Sequence, residues 1–159
     1  MRAAAAKRVS GFTLVELVVV IVILGILAAF AAPRFFSNTT FMTRGYYEEL
    51  AAALKYAQKL AVSSGCPVRV TVAAGSYVAR QQTALAGSCN PADASFPTAV
   101  ALADGQTLAG TAPSGVTAVP AVTLTFDALG RTNLAGDQAI AVGPFTMTVR
   151  AGSGFVEAP

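Results

Sequence analysis

From Leu17 to Ala32 the chain carries no charged and no strongly polar side chain. A helix over Phe12 to Ala32 rises ~32 Å at 1.5 Å per residue, enough to cross a bilayer core. One carboxylate, Glu16, stands at the head of this run. An ionisable group there costs roughly 2.5–3.5 kcal/mol on insertion scales, which makes it a functional candidate. Pro33 follows the run and should kink or interrupt the helix. Beyond it, in TRGYYEELAAALKYAQKLAVSSG, Tyr46 or Tyr47, Leu50, Leu54, Ala57 and Leu60 or Ala61 recur at three- and four-residue spacing. Glu48, Glu49, Lys55, Gln58 and Lys59 take the other faces. Acids early and lysines late suit the helix dipole, and Gly65 is a stop signal. The pattern predicts one long, bent helix from about Phe12 to about Ser64, apolar all round in its first half and amphipathic in its second.

The period then changes from helical to extended. Val68, Val70 and Val72 alternate, and Ala74-Gly75 turns the chain into a second extended stretch, a predicted hairpin. Residues 83–120 are rich in Ala, Gly, Thr, Ser and Pro, with weak periodicity, and read as a long loop with a short strand. Alternation returns at Val122, Leu124 and Phe126, then at Phe145, Met147 and Val149. A Gly-rich turn and a last short strand follow. The fold class is therefore α+β, with an antiparallel sheet whose apolar face covers the amphipathic half-helix.

The formal net charge is +3. Its source changes what it implies. Arg2, Lys7 and Arg8 supply the whole excess ahead of the apolar run, and from Phe12 onward eight Lys and Arg balance eight Asp and Glu. The basic cluster reads as the cytoplasmic flank of a membrane segment, with the remainder outside. An ordinary membrane anchor is one alternative. A secretory signal peptide cut at Ala29-Phe30-Ala31 is another, although the run is longer than a typical h-region and Glu16 would weaken it.

Histidine is absent, which excludes Ser-His-Asp and Cys-His catalysis and His-ligated metals. The later acids are scattered, and no GxGxxG, P-loop or HExxH motif occurs. Neither an enzyme, nor a cofactor, nor a metal site is expected. Cys66 and Cys89 both follow the apolar segment, on the side where disulfides persist. A structural disulfide is the expectation, closing a loop of ~24 residues worth roughly 3 kcal/mol in the chain-entropy model. Two buried free thiols are the alternative.

The basic leader ending in Gly11, then Phe12-Thr13-Leu14 and Glu16, then the charge-free helix ending at Pro33, resemble the type IV pilin family. That family includes type II secretion pseudopilins. The remainder is similar to a pilin head of the GspH/FimT type, with KYAQKLAVSSG on the helix and FDALGR before the closing strands. PRFF, Cys66-Pro67 and FDALGR together look most like minor prepilins of mannose-sensitive haemagglutinin (MSHA) pili.

This resemblance implies three regions: 1–11 as leader, 12–33 as the transmembrane and assembly half-helix, and 34–159 as a periplasmic or extracellular head. It implies cleavage by prepilin peptidase between Gly11 and Phe12, N-methylation of Phe12, and an assembly role for Glu16. The implied partners are other pilins in a helical filament, an assembly platform with its ATPase, and the inner membrane. A secretion pseudopilin and a DNA-uptake minor pilin are alternatives within the family. DNA uptake needs an exposed basic stripe. Arg69, Arg80, Arg131 and Arg150 are widely spaced and read as matched by acids, so a nucleic-acid partner is not expected.

Overall fold

The computed structural model describes residues 12–35, 38–85, 88–89 and 94–159. The chain divides into two compact units, Met1–Asn38 and Thr39–Pro159. The first contains helix α1, Leu14–Phe35. Thr13 starts it: the Glu16 N–H donates to the Thr13 hydroxyl and the Leu17 N–H to the Thr13 carbonyl, both at 3.2 Å. The Thr13 side chain thus satisfies a donor that the first helical turn leaves unpaired. Helical backbone continues through Pro33 to Phe35, two residues past the expected break. The second helix, α2, spans Asn38–Ser64. Residues 36–37 lie outside the described residues. Side chains of α1 are described as far as Ala28 and are exposed on every side, from 43% at Val20 to 78% at Leu14. Among the described residues no helix is long and apolar enough to cross a membrane.

In the second unit α2 buries one stripe. Tyr46, Tyr47, Leu50, Ala51, Ala53, Leu54, Ala57 and Ala61 are all buried. Ala53, Ala57 and Ala61 recur every fourth residue along this buried stripe. Gly65, just past the helix, has φ 68°, the left-handed conformation that ends helices and suits glycine. The charge pattern is not the one expected. Over Asn38–Ser64, Glu48 and Glu49 fall in mid-helix, with no acid in the first described turn and no base in the last. Glu48 instead pairs with Arg44 at 3.3 Å across one turn, an exposed pair worth only about 0.3–0.5 kcal/mol.

The strands number eleven among the described residues: β1 Val68–Ala73, β2 Ser76–Gln81, β3 Ala84–Leu85, β4 Ser88–Cys89, β5 Thr98–Ala99, β6 Ala109–Thr111, β7 Ala118–Val119, β8 Val122–Phe126, β9 Gln138–Val142, β10 Phe145–Val149 and β11 Val156–Glu157. They form two main antiparallel sheets where one was expected. The first has the order β5-β2-β1-β8, with β6 also pairing β2, and the second the order β11-β10-β9-β7. The predicted hairpin is present, with Ala73 opposite Ser76 across Ala74-Gly75. Strand β9 was missed by pattern reading: only Ile140 and Val142 in it are large and buried, and its other positions carry Gln and Ala.

Residues 83–120 also hold more structure than the loop expected of them. Val100, Leu108, Val116 and Ala118 are buried, and the backbone bonds along β2 explain how. Leu108 O accepts from Ala79 N–H at 2.9 Å, Ala79 O from Val100 N–H at 3.2 Å, and Val100 O from Leu108 N–H at 2.7 Å. Non-local partners, rather than local propensity, hold these short strands.

Both sheets meet α2. The Tyr46 ring packs at a tilt beside Tyr77 of β2, while the Tyr47 hydroxyl donates to Thr146 O of β10 at 3.3 Å. At the far end of the helix the Gln58 amide donates to Gly130 O at 3.0 Å and Ser153 O at 3.1 Å, tying two turns to one side chain. Cys66, just after α2, and Cys89 form the expected disulfide, with Cα atoms 5.3 Å apart.

Thiol alkylation of unreduced protein should accordingly label neither cysteine, and labelling of both would contradict the bridge. Gln58→Ala removes two hydrogen bonds and should lower stability by about 1–2 kcal/mol in denaturant unfolding. A change below about 0.5 kcal/mol would mean that the two turns are held by other contacts.

Candidate functional site

The residues singled out in the sequence fall into separate places. Gly11 and the leader lie outside the described residues. Phe12 precedes α1 and is 78% exposed. Glu16 is the third residue of α1 and exposed. Pro33 lies inside α1, and Cys66–Cys89 joins the end of α2 to β4. Sequence reading took Thr13 only as part of the motif around Glu16, not as a helix cap. Thr13-Leu14-Val15-Glu16 has the S/T-x-x-E spacing of a capping box, and Thr13 does receive the Glu16 N–H. Glu16 therefore also sits at the positive end of the helix dipole, where a carboxylate is well placed.

The cations of the head are arranged differently from the widely spaced, acid-matched set expected. Arg131 pairs with Asp127 at 3.0 Å, and Arg150 bridges Asp137 at 2.7 Å and Glu157 at 2.5 Å. Arg69 and Arg80, by contrast, face each other across β1 and β2. The Arg69 guanidinium lies 3.8 Å from the centre of the Phe96 ring, and Arg80 donates to Pro97 O at 3.3 Å. Strand register, invisible to local pattern, brings these two together. Neither has an acidic partner among the described residues.

One cleft opens between α2 and the segment leading into β6. It has a volume of about 360 Å³ and is lined chiefly by Ala52, Ala53, Tyr56, Tyr77, Leu102 and Leu108, with Glu49 on its wall. The Tyr77 hydroxyl donates to Glu49 Oε1 at 2.7 Å. Burial first, and this bond to an anion second, push the Tyr77 hydroxyl pKa well up, so it remains a donor across the working range. Gly110 makes the contact possible: a Cβ there would overlap both the Glu49 carboxylate and the Tyr77 ring. No group of three or more potential metal ligands occurs among the described residues.

Residues 6–32 match the prokaryotic N-terminal methylation motif, and residues 47–156 match type II transport protein GspH. The chain belongs to the GspH family. Among relatives, a type IV narrow pilus major component of Thermus thermophilus, PilA5, is 46% identical over 54 residues. That match covers 34% of this GspH-family chain and 47% of PilA5, about half its length. Among solved structures, the type IV minor pilin FimU of Pseudomonas aeruginosa is 18% identical, covers 73% of this chain and 91% of FimU, and has a TM-score of 0.48. Pilin and pseudopilin families of this kind are structural subunits, not enzymes.

Gly110→Ala should destabilise the GspH-type head by about 1–3 kcal/mol, because the Glu49–Tyr77 contact leaves no room for a methyl group. Unchanged stability on chemical unfolding would show that the contact can shift freely. The head should also weaken in acid. The Arg150 guanidinium, then the Ala151 N–H, hold Asp137 below the usual carboxylate range. Its contribution is complete above the unfolded pKa near ~4 and is lost as pH falls through the lower folded value. Asp137→Asn should therefore flatten the acid limb of a stability–pH profile, and an unchanged limb would contradict this.

Proposed function

We propose that this chain is a minor type IV pilin of the MSHA type, a structural subunit carried first in the inner membrane and then in a filament. The reading rests on one observation above all, an N-terminal methylation motif at residues 6–32 joined to a GspH head at residues 47–156 on the same chain. In this account residues 1–11 are a leader that prepilin peptidase removes between Gly11 and Phe12, methylating the new amino terminus. Residues 12–33 anchor the waiting subunit, N-terminus cytoplasmic, and residues 34–159 stand outside. An assembly platform and its ATPase then extract it into a helical polymer with heterologous, non-closing contacts. The finer MSHA assignment is supported by PRFF, Cys66-Pro67 and FDALGR in the sequence.

Glu16 has a clear physical role in that polymer. Cleavage leaves an amino group on Phe12, four residues before Glu16 and ~6 Å away along a helix. Among apolar helices an unpaired charge is very costly, so the carboxylate and the amine of a neighbour are driven together. The pairing also sets axial register, which uniform Val and Ile contacts leave unspecified. A second reading, a pseudopilin of a type II secretion system, is favoured by the GspH match itself. Quantitative mass spectrometry of sheared pili separates the two: a trace subunit is expected, and either a dominant band or complete absence would contradict the minor-pilin reading.

Glu16→Gln keeps the T-x-x-E/Q capping pattern and removes only the charge. It should be cleaved and membrane-inserted normally, yet enter filaments at least about tenfold less, with Glu16→Asp intermediate. Incorporation of Glu16→Gln at the wild-type level would leave the carboxylate with a capping role alone.

A further inference from the structure

We propose that the cleft between α2 and the segment leading into β6 is a socket for a lysine side chain of a neighbouring pilin subunit, with Glu49 as counter-ion. This deepens, and rests on, the reading of the chain as a filament subunit. Glu49 is the sole charged residue among those lining the cleft, and the walls are otherwise mostly apolar. Of the two acids on α2, Glu48 has Arg44, whereas Glu49 has no cation among the described residues. Its Oε1 accepts from Tyr77, and among the described residues Oε2 accepts no hydrogen bond. A neutral Gln would serve Tyr77 equally well as an acceptor. The negative charge is therefore left over from the needs of the head.

The shape of the site selects among cations. A guanidinium is bound best by two parallel acceptors, and here Oε1 of Glu49 is shared with the Tyr77 hydroxyl. An ammonium is a compact point charge on a four-carbon stem and needs a single anionic oxygen. Its methylenes would lie along Ala52, Ala53 and Leu108, with the faces of Tyr56 and Tyr77 available to the cation. A side chain of one subunit entering a cleft on another makes a heterologous contact, which does not close into a dimer.

The full-length protein in detergent tests the socket, with n-butylammonium as the stand-in for a lysine side chain. The chain has four tyrosines and no tryptophan, and Tyr56 and Tyr77 line the cleft, so tyrosine emission reports directly. At constant ionic strength, a saturable change with half-saturation on the order of millimolar is expected. Neutral n-butanol should need at least about tenfold more, and Glu49→Gln should erase that difference while keeping the far-ultraviolet circular dichroism of the wild type. Equal responses to amine and alcohol, or an amine response that persists in Glu49→Gln, would overturn the socket. Carbodiimide treatment of sheared filaments tests the occupant, since it joins a carboxylate to an amine in contact with it. An amide between Glu49 and a lysine of another pilin molecule is expected. Filaments containing the chain but no such amide would overturn the lysine occupant even if butylammonium binds. Absence of the chain from filaments would overturn the filament reading and the occupant together, leaving the titration to decide the cleft's chemistry alone.

Discussion

Burial of one face of α2 against two separate sheets is the interaction on which the head depends. Leu50, Leu54, Ala57 and Ala61 are fully buried, as are Val68 and Val70 of β1, Leu124 and Phe126 of β8, Ile140 and Val142 of β9, and Met147 and Val149 of β10. The residues that α2 contributes belong to one cluster with residues from both sheets. A helix that lost this stripe would leave two apolar sheet faces in water, at roughly 25 cal/mol for each Å² exposed. The polar contacts refine that packing. Tyr77–Glu49 ties the helix to β2, and Gln58 with its two carbonyls ties it to two turns.

What the sequence revealed follows from how each element is held. The helix stripe and the strands β1, β2, β8 and β10 were legible because their burial repeats at 3.6 or 2 residues. The split into two sheets was not, since it depends on which strand finds which neighbour. The short strands β5, β6 and β7 were not legible either, because two or three residues of Ala, Gly, Thr and Val carry no period. The facing pair Arg69 and Arg80 is a product of register, and so is the placing of Glu49 against Tyr77 and Gly110. The cap at Thr13 is legible in the T-x-x-E spacing alone, since it depends only on residues three apart.

The two units divide the work. The head buries a core of its own, whereas α1 in the single chain exposes Leu, Val and Ile on every side of its described length. A helix apolar all round requires surroundings that are apolar all round, whether lipid or other helices. One end of it carries Glu16 on a capped first turn, so charge and helix start coincide at a single place. In the filament subunit proposed above that coincidence would be useful: the cap fixes where the helix begins, and the carboxylate then stands at a defined distance from the amino group that cleavage after Gly11 would create.

The central claim is that this amino group is made by cleavage after Gly11 and that Phe12 carries it. Intact-mass analysis of the mature protein, followed by sequencing of its first peptide, measures this directly. The account predicts a chain beginning at Phe12, heavier by one methyl group, ~14 Da, at its amino terminus. A mature chain beginning at Ala32, or one retaining Met1 to Gly11, would contradict it.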